Sequence, residues 1–295
     1  MSGKLLFILN PRAGKGKIKN KLMEIIDIFV KDGWTVTVHT TQTVKDAYET
    51  VNKNGSKYDR IVVSGGDGTL NEVIRGLMTL GESKRPAIGY IPAGTVNDFA
   101  SNLRISKNMK KAAENIVSGT EFKCDIGEFN NKNFVYIAAF GAFTNVSYET
   151  PQQNKNILGQ SAYLLEGIKQ LSSLKSYKLK VKYDGNEIED EFILGMVANS
   201  NRIAGMKSRA LKAQLNDGLF EVMLIKQPKT VFESNDIISK LAIGDLSGNS
   251  FYVFRTEKIE FISEESIPWT LDGEFGGSVS GAEISVKKEA VTLIF

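Results

Sequence analysis

The chain has little of what several protein classes require. Its 295 residues include a single cysteine, Cys124, and only six prolines. A lone cysteine excludes an internal disulfide framework, and one thiol cannot build a metal site. We therefore interpret Cys124 as a small buried apolar residue. Few prolines and no low-complexity tract predict little disorder.

Strong net charge and long apolar runs are also missing. Lysine and arginine exceed the acidic residues only as 37 to 34, a net charge of +3 that is too small to indicate nucleic-acid binding. The uncharged stretch 133–148 is too short to span a bilayer, and no signal peptide precedes the first strand-like run. We expect a cytoplasmic protein with no nucleic-acid partner.

What the chain does contain, up to residue 123, is an alternation of strand and helix patterns. Strands are predicted at 5–9, 35–39, 61–64 and 88–91, and helices at 22–29, 46–52, 70–77 and 110–117. This rhythm is typical of a doubly wound parallel sheet, which binds ligands at the carboxyl ends of its strands. The loops that begin at Asn10, Gly65 and Pro92 should therefore converge.

Extended patterns dominate from residue 124 onward. Strands are predicted at 134–139, 177–183, 191–197, 220–225, 258–262 and 290–295, with a hairpin at Asp184-Gly185 and helices at 161–174 and 230–242. The predicted fold class is α/β. It combines a nucleotide-type parallel domain at 1–123 with a mostly antiparallel β domain at 124–295.

The most informative motif is Gly65–Glu72, where a glycine-rich turn follows a strand and opens a helix. Glycines let backbone N–H groups approach a phosphate, and the start of a helix favours negative charge. Asp67 would repel a phosphate unless a cation bridged them, so the motif indicates Mg²⁺. A purely structural glycine turn is the alternative.

Two further loops have the same strand-end position. In Asn10–Lys17, proline and glycine shape a turn whose cations could meet phosphate, although it lacks the lysine and hydroxyl of a P-loop; a plain basic turn is the alternative. In Pro92–Ala100, Thr95 could donate to phosphate while Asn97 and Asp98 hold a metal, or the group could simply cap a helix.

Two acidic turns lie in the second half. Asp272 and Glu274, two apart across a glycine, can point to one side of an extended chain, where one could accept a proton; a hairpin turn with solvated acids is the alternative. The Gln214–Leu219 turn could hold a hard cation on Asp217, but alone it is more typical of an ordinary turn.

The cations Arg202, Lys207, Arg209 and Lys212 form either a solvated face or a surface for anionic membranes.

These motifs together resemble the soluble bacterial diacylglycerol kinase family. Gly65–Glu72, Gly94–Ala100 and Leu271–Glu274 occur in that family's order, and the resemblance covers essentially the whole chain. Val146–Pro151 and Asn216–Gly218 are similar to the Gram-positive members. The resemblance implies an N-terminal nucleotide domain, a C-terminal β-sandwich, a cleft active site between them and ATP-dependent phosphorylation of a lipid hydroxyl.

The resemblance also implies roles for individual residues. Glu274 would be the base that activates the lipid hydroxyl, and the carboxylates of Asp67, Asp98, Asp125 and Asp272 would form an acid–water–Mg²⁺ network. A structural Mg²⁺ would be bound by Asp217 and by backbone oxygens of Gln214 and Leu219. Ala13 departs from the serine frequent in the family, which removes one hydroxyl contact to phosphate. The implied ATP contacts are Asn10, Pro11, Arg12, Ala13, Gly14, Thr41, Gly66, Asp67, Gly68, Thr69, Leu70, Asn71, Glu72 and Thr95.

Other functions stay open at this point. Diacylglycerol is the expected acceptor, in phospholipid metabolism, but phosphatidylglycerol or a ceramide-like alcohol would suit the same chemistry. An NAD kinase shares the glycine-rich GGDG turn, and a silent nucleotide-binding regulator would retain the motifs without transfer. The family further implies a homodimer. Since no predicted helix spans a bilayer, we expect access to the lipid from the inner face of the membrane to be peripheral.

Overall fold

The computed structural model describes residues 3–95, 97–141, 174–199, 202–203, 206–207 and 214–295. It divides into two compact units, one of Met1–Cys124 with Glu289–Phe295 and one of Asp125–Lys288. The segment Glu289–Phe295, assigned to the second domain by sequence, thus belongs to the first unit. It does so because Leu293 and Ile294 pair with the first unit's fourth strand.

The first unit is a parallel sheet with helices along it. Its strands are β1 (Lys4–Leu9), β2 (Thr35–Thr40), β3 (Arg60–Gly65) and β4 (Ala87–Pro92), and its helices are α1 (Leu22–Lys31), α2 (Asp46–Asn54), α3 (Asp67–Met78), α4 (Asp98–Asn102) and α5 (Met109–Ser118). The strand order is β2-β1-β3-β4, all parallel. The doubly wound fold is confirmed, and α4 is an addition to the predicted elements.

Strand β1 shows why this sheet forms. Every side chain in Leu5–Leu9 is at most 3% exposed, as expected when both faces of a strand are covered. On one face, Phe7 packs edge-on against Phe29 of α1, with ring centroids 5.9 Å apart, and α5 adds Ile116 to the same core. Cys124, at 1% exposed, is buried as predicted.

In its described part, the second unit consists of antiparallel strands and one long helix. The elements are β5 (Glu121–Phe129), β6 (Lys132–Phe134), β7 (Ile137–Gly141), β8 (Tyr177–Tyr183), β9 (Asn186–Ala198), β10 (Arg202–Ile203), β11 (Met206–Lys207), β12 (Phe220–Lys226), β13 (Phe251–Thr256), β14 (Lys258–Leu271), β15 (Glu274–Ile294) and α6 (Val231–Ile243). The order is β13-β12-β9, then β7 and β8 end to end, then β14, β15, β5 and β6. Strands β5 and β15 each have one end in the first unit.

This sheet curves around its own core. Phe134 of β6 stacks on Phe220 of β12 with ring centroids 5.7 Å apart, although these strands are far apart in the hydrogen-bond order. Trp269 of β14 contacts Phe129 of β5 at 5.0 Å in the same cluster. Two layers therefore enclose one core, which confirms the predicted β-sandwich. Helix α6 covers another part of the sheet through Ile237 and Leu241.

Several predicted elements change in detail. The strand predicted at 134–139 is two strands, β6 and β7, broken at Val135 and Tyr136. Strands β9, β14 and β15 are longer than predicted, and β5, β10, β11 and β13 are additions. The Asp184-Gly185 hairpin is confirmed, since both residues have positive φ, as a two-residue turn requires. The helix predicted at 161–174 lies outside the described residues except for Leu174.

The aromatic core of the second unit yields a stability prediction. Phe140 is fully buried and its ring contacts Trp269 at 4.9 Å and Phe261 at 5.8 Å. Phe140→Ala should lower the free energy of unfolding by about 3–5 kcal/mol, because removing the ring leaves a cavity inside a packed aromatic cluster. Urea titration followed by fluorescence measures this change. Phe232→Ala is the matched control, since Phe232 is 82% exposed; equal effects of the two variants would contradict the packing.

Candidate active site

The loops that follow β1, β3 and β4 meet at the carboxyl edge of the first unit's sheet. Asn10 Nδ2 donates to Thr69 Oγ1 at 3.1 Å, which joins the loop after β1 to the start of α3. The Gly65 carbonyl accepts from the Ala93 N–H at 2.8 Å and from the Gly94 N–H at 3.2 Å. The predicted convergence of these loops is confirmed.

Glycines allow this convergence. A Cβ on Gly14 would lie 1.9 Å from the Ala93 carbonyl oxygen, and one on Gly94 would lie 2.6 Å from the Gly66 Cα. Since these neighbours are backbone atoms, they cannot rotate away. A Cβ on Gly68, in contrast, would meet nothing within 4 Å. Three loops thus form a glycine-lined cradle with space beside the first turn of α3.

Two polar side chains fix the cradle from behind. Asn97, left-handed at φ 54°, accepts the Gly94 N–H at 2.9 Å and donates Nδ2 to the Gly94 carbonyl at 2.8 Å. The buried Tyr90 hydroxyl lies 3.2 Å from the Gly65 carbonyl and 3.3 Å from Asn97 Oδ1. Burial raises the pKa of Tyr90 well above its usual value, so the hydroxyl stays protonated as a donor.

Asp67 lies at the first position of α3, and its Oδ1 accepts the Phe99 N–H at 3.2 Å. Helix α3 has no side-chain cap at Gly66. Backbone donors at a helix start attract phosphate, and a carboxylate beside them suits a hard divalent cation. The residues of the cradle therefore fit a nucleotide phosphate with its metal ion.

The other predicted nucleotide contacts have different placements. The Thr41 N–H donates to the Leu9 carbonyl at 2.9 Å, beside Asn10 at the strand ends. Glu72 accepts the Lys45 N–H at 2.9 Å and the Ala47 N–H at 3.2 Å, so its carboxylate holds the start of α2. Leu70 is fully buried. Four further contacts lie at or near the surface: Thr95 and Arg12 are exposed, and Pro11 and Ala13 are half-buried. The Asp98 side chain is outside the described part.

In the second unit, Asp272 and Gly273 form the two-residue turn between β14 and β15, with φ of 52° and 84°. The assumption of an extended chain is wrong here, because the chain reverses between Leu271 and Glu274. Asp272 is half-buried rather than fully solvated. Its carboxylate accepts three consecutive backbone N–H groups, from Val135 at 2.7 Å, Tyr136 at 2.8 Å and Ile137 at 3.0 Å. Glu274 is exposed beside this turn.

Asp125 is placed at the Gln214–Leu219 loop. It is 1% exposed, its Oδ2 accepts the Gly218 N–H at 2.7 Å, and its own N–H donates to the Leu215 carbonyl at 2.6 Å. Within this unit the structure therefore brings Asp125 to the predicted metal loop.

Asn199 connects these two segments, and sequence analysis missed it. Its backbone N–H donates to the Tyr136 carbonyl at 2.7 Å, and its Nδ2 donates to the Asp125 carbonyl at 2.7 Å. Since Tyr136 also donates to Asp272, a chain of hydrogen bonds runs from Asp272 to Asp125. The available signal was a polar residue directly after the apolar run Phe192–Ala198.

Asp217 has two hydrogen-bond partners among the described residues. Its Oδ1 accepts the Leu219 N–H at 3.1 Å, and its Oδ2 pairs closely with Arg255 Nη2. Arg255 Nε also donates to Glu221 Oε1 at 3.0 Å. Burial raises the pKa of Glu221 to about 7, although Arg255 opposes the shift. Among the residues the structure describes, no group of three or more histidine, cysteine or acidic side chains is arranged to hold a metal.

Comparison with known proteins agrees with this architecture. A family model for the diacylglycerol kinase catalytic domain matches residues 4–129, and one for the YegS C-terminal NAD kinase beta sandwich-like domain matches residues 138–295. The chain is 32% identical to a diacylglycerol kinase of Bacillus subtilis over 95% of this chain and 92% of that protein. It is 33% identical to one of Staphylococcus carnosus at the same coverage.

A crystal structure of a candidate diacylglycerol kinase from Bacillus anthracis superposes with a TM-score of 0.85 at 27% identity, covering 99% of this chain and 95% of that one. The fold and the matched family models are those of an ATP-dependent kinase. The chain belongs to the diacylglycerol kinase family. Membership implies use of ATP with a divalent metal, and a lipid substrate.

The cradle makes a direct prediction for nucleotide binding. Gly94→Ala would place a Cβ 2.6 Å from the Gly66 Cα, so one of the two loops must move. We expect kcat/KM for ATP to fall by about 5- to 150-fold, since overpacking against fixed atoms costs about 1–3 kcal/mol. Steady-state kinetics at varied ATP measures this loss. Gly81→Ala, where a Cβ meets nothing within 4 Å, is the control, and comparable kinetics for both variants would contradict the close loop contact.

Proposed function

We propose that this protein transfers the γ-phosphate of ATP to the hydroxyl of diacylglycerol, giving phosphatidic acid. The observation that carries the proposal is the glycine-lined cradle with Asp67 at the start of α3. Backbone donors there would bind the phosphates without a P-loop. The relatives named diacylglycerol kinase support the choice of acceptor.

Asp67 is the proposed protein ligand, directly or through water, of the divalent cation, for which we propose Mg²⁺. When bound, this cation would offset the charge on the phosphoryl oxygens. The chain's own contribution is to position ATP. Asn10–Gly14, Gly66–Glu72, Thr41 and Thr95 are the proposed nucleotide-binding residues, and Asp98, Asp125 and Asp272 are proposed to order the metal–water network.

Glu274 is the proposed general base. As an exposed carboxylate next to the Asp272 turn, it can take the proton of the acceptor hydroxyl. The acceptor oxygen then bonds to the γ-phosphorus while the bond from that phosphorus to the β–γ bridging oxygen breaks, so ADP leaves. Asp272 supports this role by tying the turn to three backbone amides.

The base can be tested by Glu274→Gln, which keeps the side chain's shape and removes its basicity. We expect kcat to fall by about 10²–10⁴-fold with little change in KM for ATP, because the carboxylate acts on the acceptor. The assay is transfer of labelled phosphate from ATP to diacylglycerol in mixed micelles. Glu264→Gln, at another exposed glutamate of the same unit, should retain activity. Near-wild-type turnover in Glu274→Gln would exclude this base.

The same assay separates the alternative acceptors. A panel containing phosphatidylglycerol, a ceramide and NAD identifies another lipid kinase or an NAD kinase, the latter suggested by the description of the matched C-terminal domain. Tight ATP binding without transfer to any acceptor would indicate a nucleotide-binding regulator. The homodimer is likewise a proposal, and light scattering of the purified chain measures it.

We further propose peripheral binding to the cytoplasmic face of the membrane. The described helices include none with the length and apolar character to cross a bilayer. Phe232 and Ile243, at the two ends of α6, are 82% and 78% exposed, which leaves apolar side chains available to a lipid surface. The side chains of Arg202, Lys207, Arg209 and Lys212 lie outside the described residues.

Binding to vesicles tests this proposal. We expect association with vesicles that contain anionic lipid, weakening as salt is raised, because surface charges are screened within about 10 Å at 0.1 M salt. Phe232→Ser should weaken association about tenfold or more, since a buried phenylalanine contributes about 1.5–3 kcal/mol. Met23→Ser, at a residue 76% exposed in the first unit, is the control. Salt-independent binding to neutral vesicles would contradict the proposal that charge attracts the protein to anionic lipid.

A further inference from the structure

Arg255 bridges two carboxylates at the loop where a structural magnesium ion is predicted. Glu221 on β12 and Arg255 on β13 are direct partners in the antiparallel ladder, so the sheet register places them together. Arg255 donates Nε to Glu221 Oε1 at 3.0 Å and pairs through Nη2 with Asp217 Oδ2. One guanidinium thus joins the loop to the sheet.

Burial of Glu221 keeps this guanidinium in place. Glu221 is fully buried, and its second oxygen, Oε2, has no hydrogen-bond partner among the residues that the structure describes. A buried carboxylate that loses its only cationic partner is strongly destabilising. Separating Arg255 from Glu221 therefore costs free energy. As long as the two are paired, the planar guanidinium of Arg255 also places Nη2 at Asp217.

The rest of the loop is also held by protein groups. Asp217 Oδ1 accepts the Leu219 N–H at 3.1 Å, and Asp125 accepts the Gly218 N–H at 2.7 Å. Lys288, whose Nζ would lie 3.2 Å from a Cβ on Gly218, is itself paired with Glu257 Oε2 at 2.8 Å. A divalent ion on Asp217 would lie beside the Arg255 guanidinium, which does not suit the ligand set that Mg²⁺ prefers.

We propose that the Arg255 guanidinium, anchored by Glu221, supplies at Asp217 the positive charge that a structural Mg²⁺ would otherwise supply. The Gln214–Leu219 loop then folds without a divalent cation. The guanidinium matches a carboxylate through charge-assisted hydrogen bonds and does not exchange with solvent ions. This inference is independent of the lipid acceptor and of the cation bound with ATP.

Thermal unfolding without nucleotide tests the inference on the full-length protein. We measure the midpoint of wild type and of Asp217→Asn in MgCl₂ and again in EDTA. We expect the difference between the two buffers to be the same for both proteins, because no divalent cation is bound at Asp217. Arg255→Gln should lower the midpoint by at least about 4 °C, because a buried carboxylate loses its partner. Lys258→Gln, which removes an exposed ion pair with Glu283 at 2.7 Å, is the control and should shift it little.

Counting bound Mn²⁺ by electron paramagnetic resonance gives a second readout that does not depend on folding or activity. We expect wild type and Asp217→Asn to bind the same number of ions. One fewer ion in Asp217→Asn, or a wild-type stabilisation by MgCl₂ that Asp217→Asn abolishes, would overturn the inference. An unchanged midpoint in Arg255→Gln would also overturn it, whereas Arg255→Lys is expected to restore only part of the loss, since a lysine cannot bridge both carboxylates.

Discussion

The organisation of the second unit depends on one carboxylate that captures three consecutive peptide groups. Asp272 accepts the N–H groups of residues 135–137, and these are the groups that an uninterrupted strand would have offered to a neighbour. The break between β6 and β7, the tight turn before Glu274 and the link through Tyr136 to Asn199 all follow from it. A single acidic side chain thus sets where a strand stops and where the proposed base stands. Carboxylates bound by several amides are strongly held, so this turn is a rigid element.

In the first unit the main constraint is the close approach of three backbone loops at the proposed phosphate site. Its cradle depends on the absence of side chains: Gly14 against Ala93, and Gly94 against Gly66. Asn97 and Tyr90 then hold the loops with neutral hydrogen bonds. Because Asn97 and Tyr90 are neutral, the charge at the start of α3 comes from Asp67. A cation that accompanies the phosphate would bind at this carboxylate.

Sequence patterns predicted the sheet types and the phosphate loops because local rules govern both. Continuous apolar runs such as Leu5–Leu9 are typical of a parallel strand, and a glycine-rich strand-to-helix turn is typical of phosphate binding. The patterns failed where distant residues decide. Nothing near Val135 indicates that Asp272 will interrupt the strand, and nothing near Asp217 indicates that Arg255 will reach it from β13. Asn199 was missed because its role exists only through partners far along the chain.

Strand β15 has a consequence for how the protein is made. Its first part pairs with β14, and its last residues lie parallel to β4 beside Ile88 and Gly89. The first unit's sheet therefore includes residues that the ribosome delivers only after the rest of β15 has been synthesised. Until then one edge of β4 is unpaired, and such edges invite wrong pairing during synthesis. The order of translation thus delays completion of this sheet until Leu293 and Ile294 have left the ribosome.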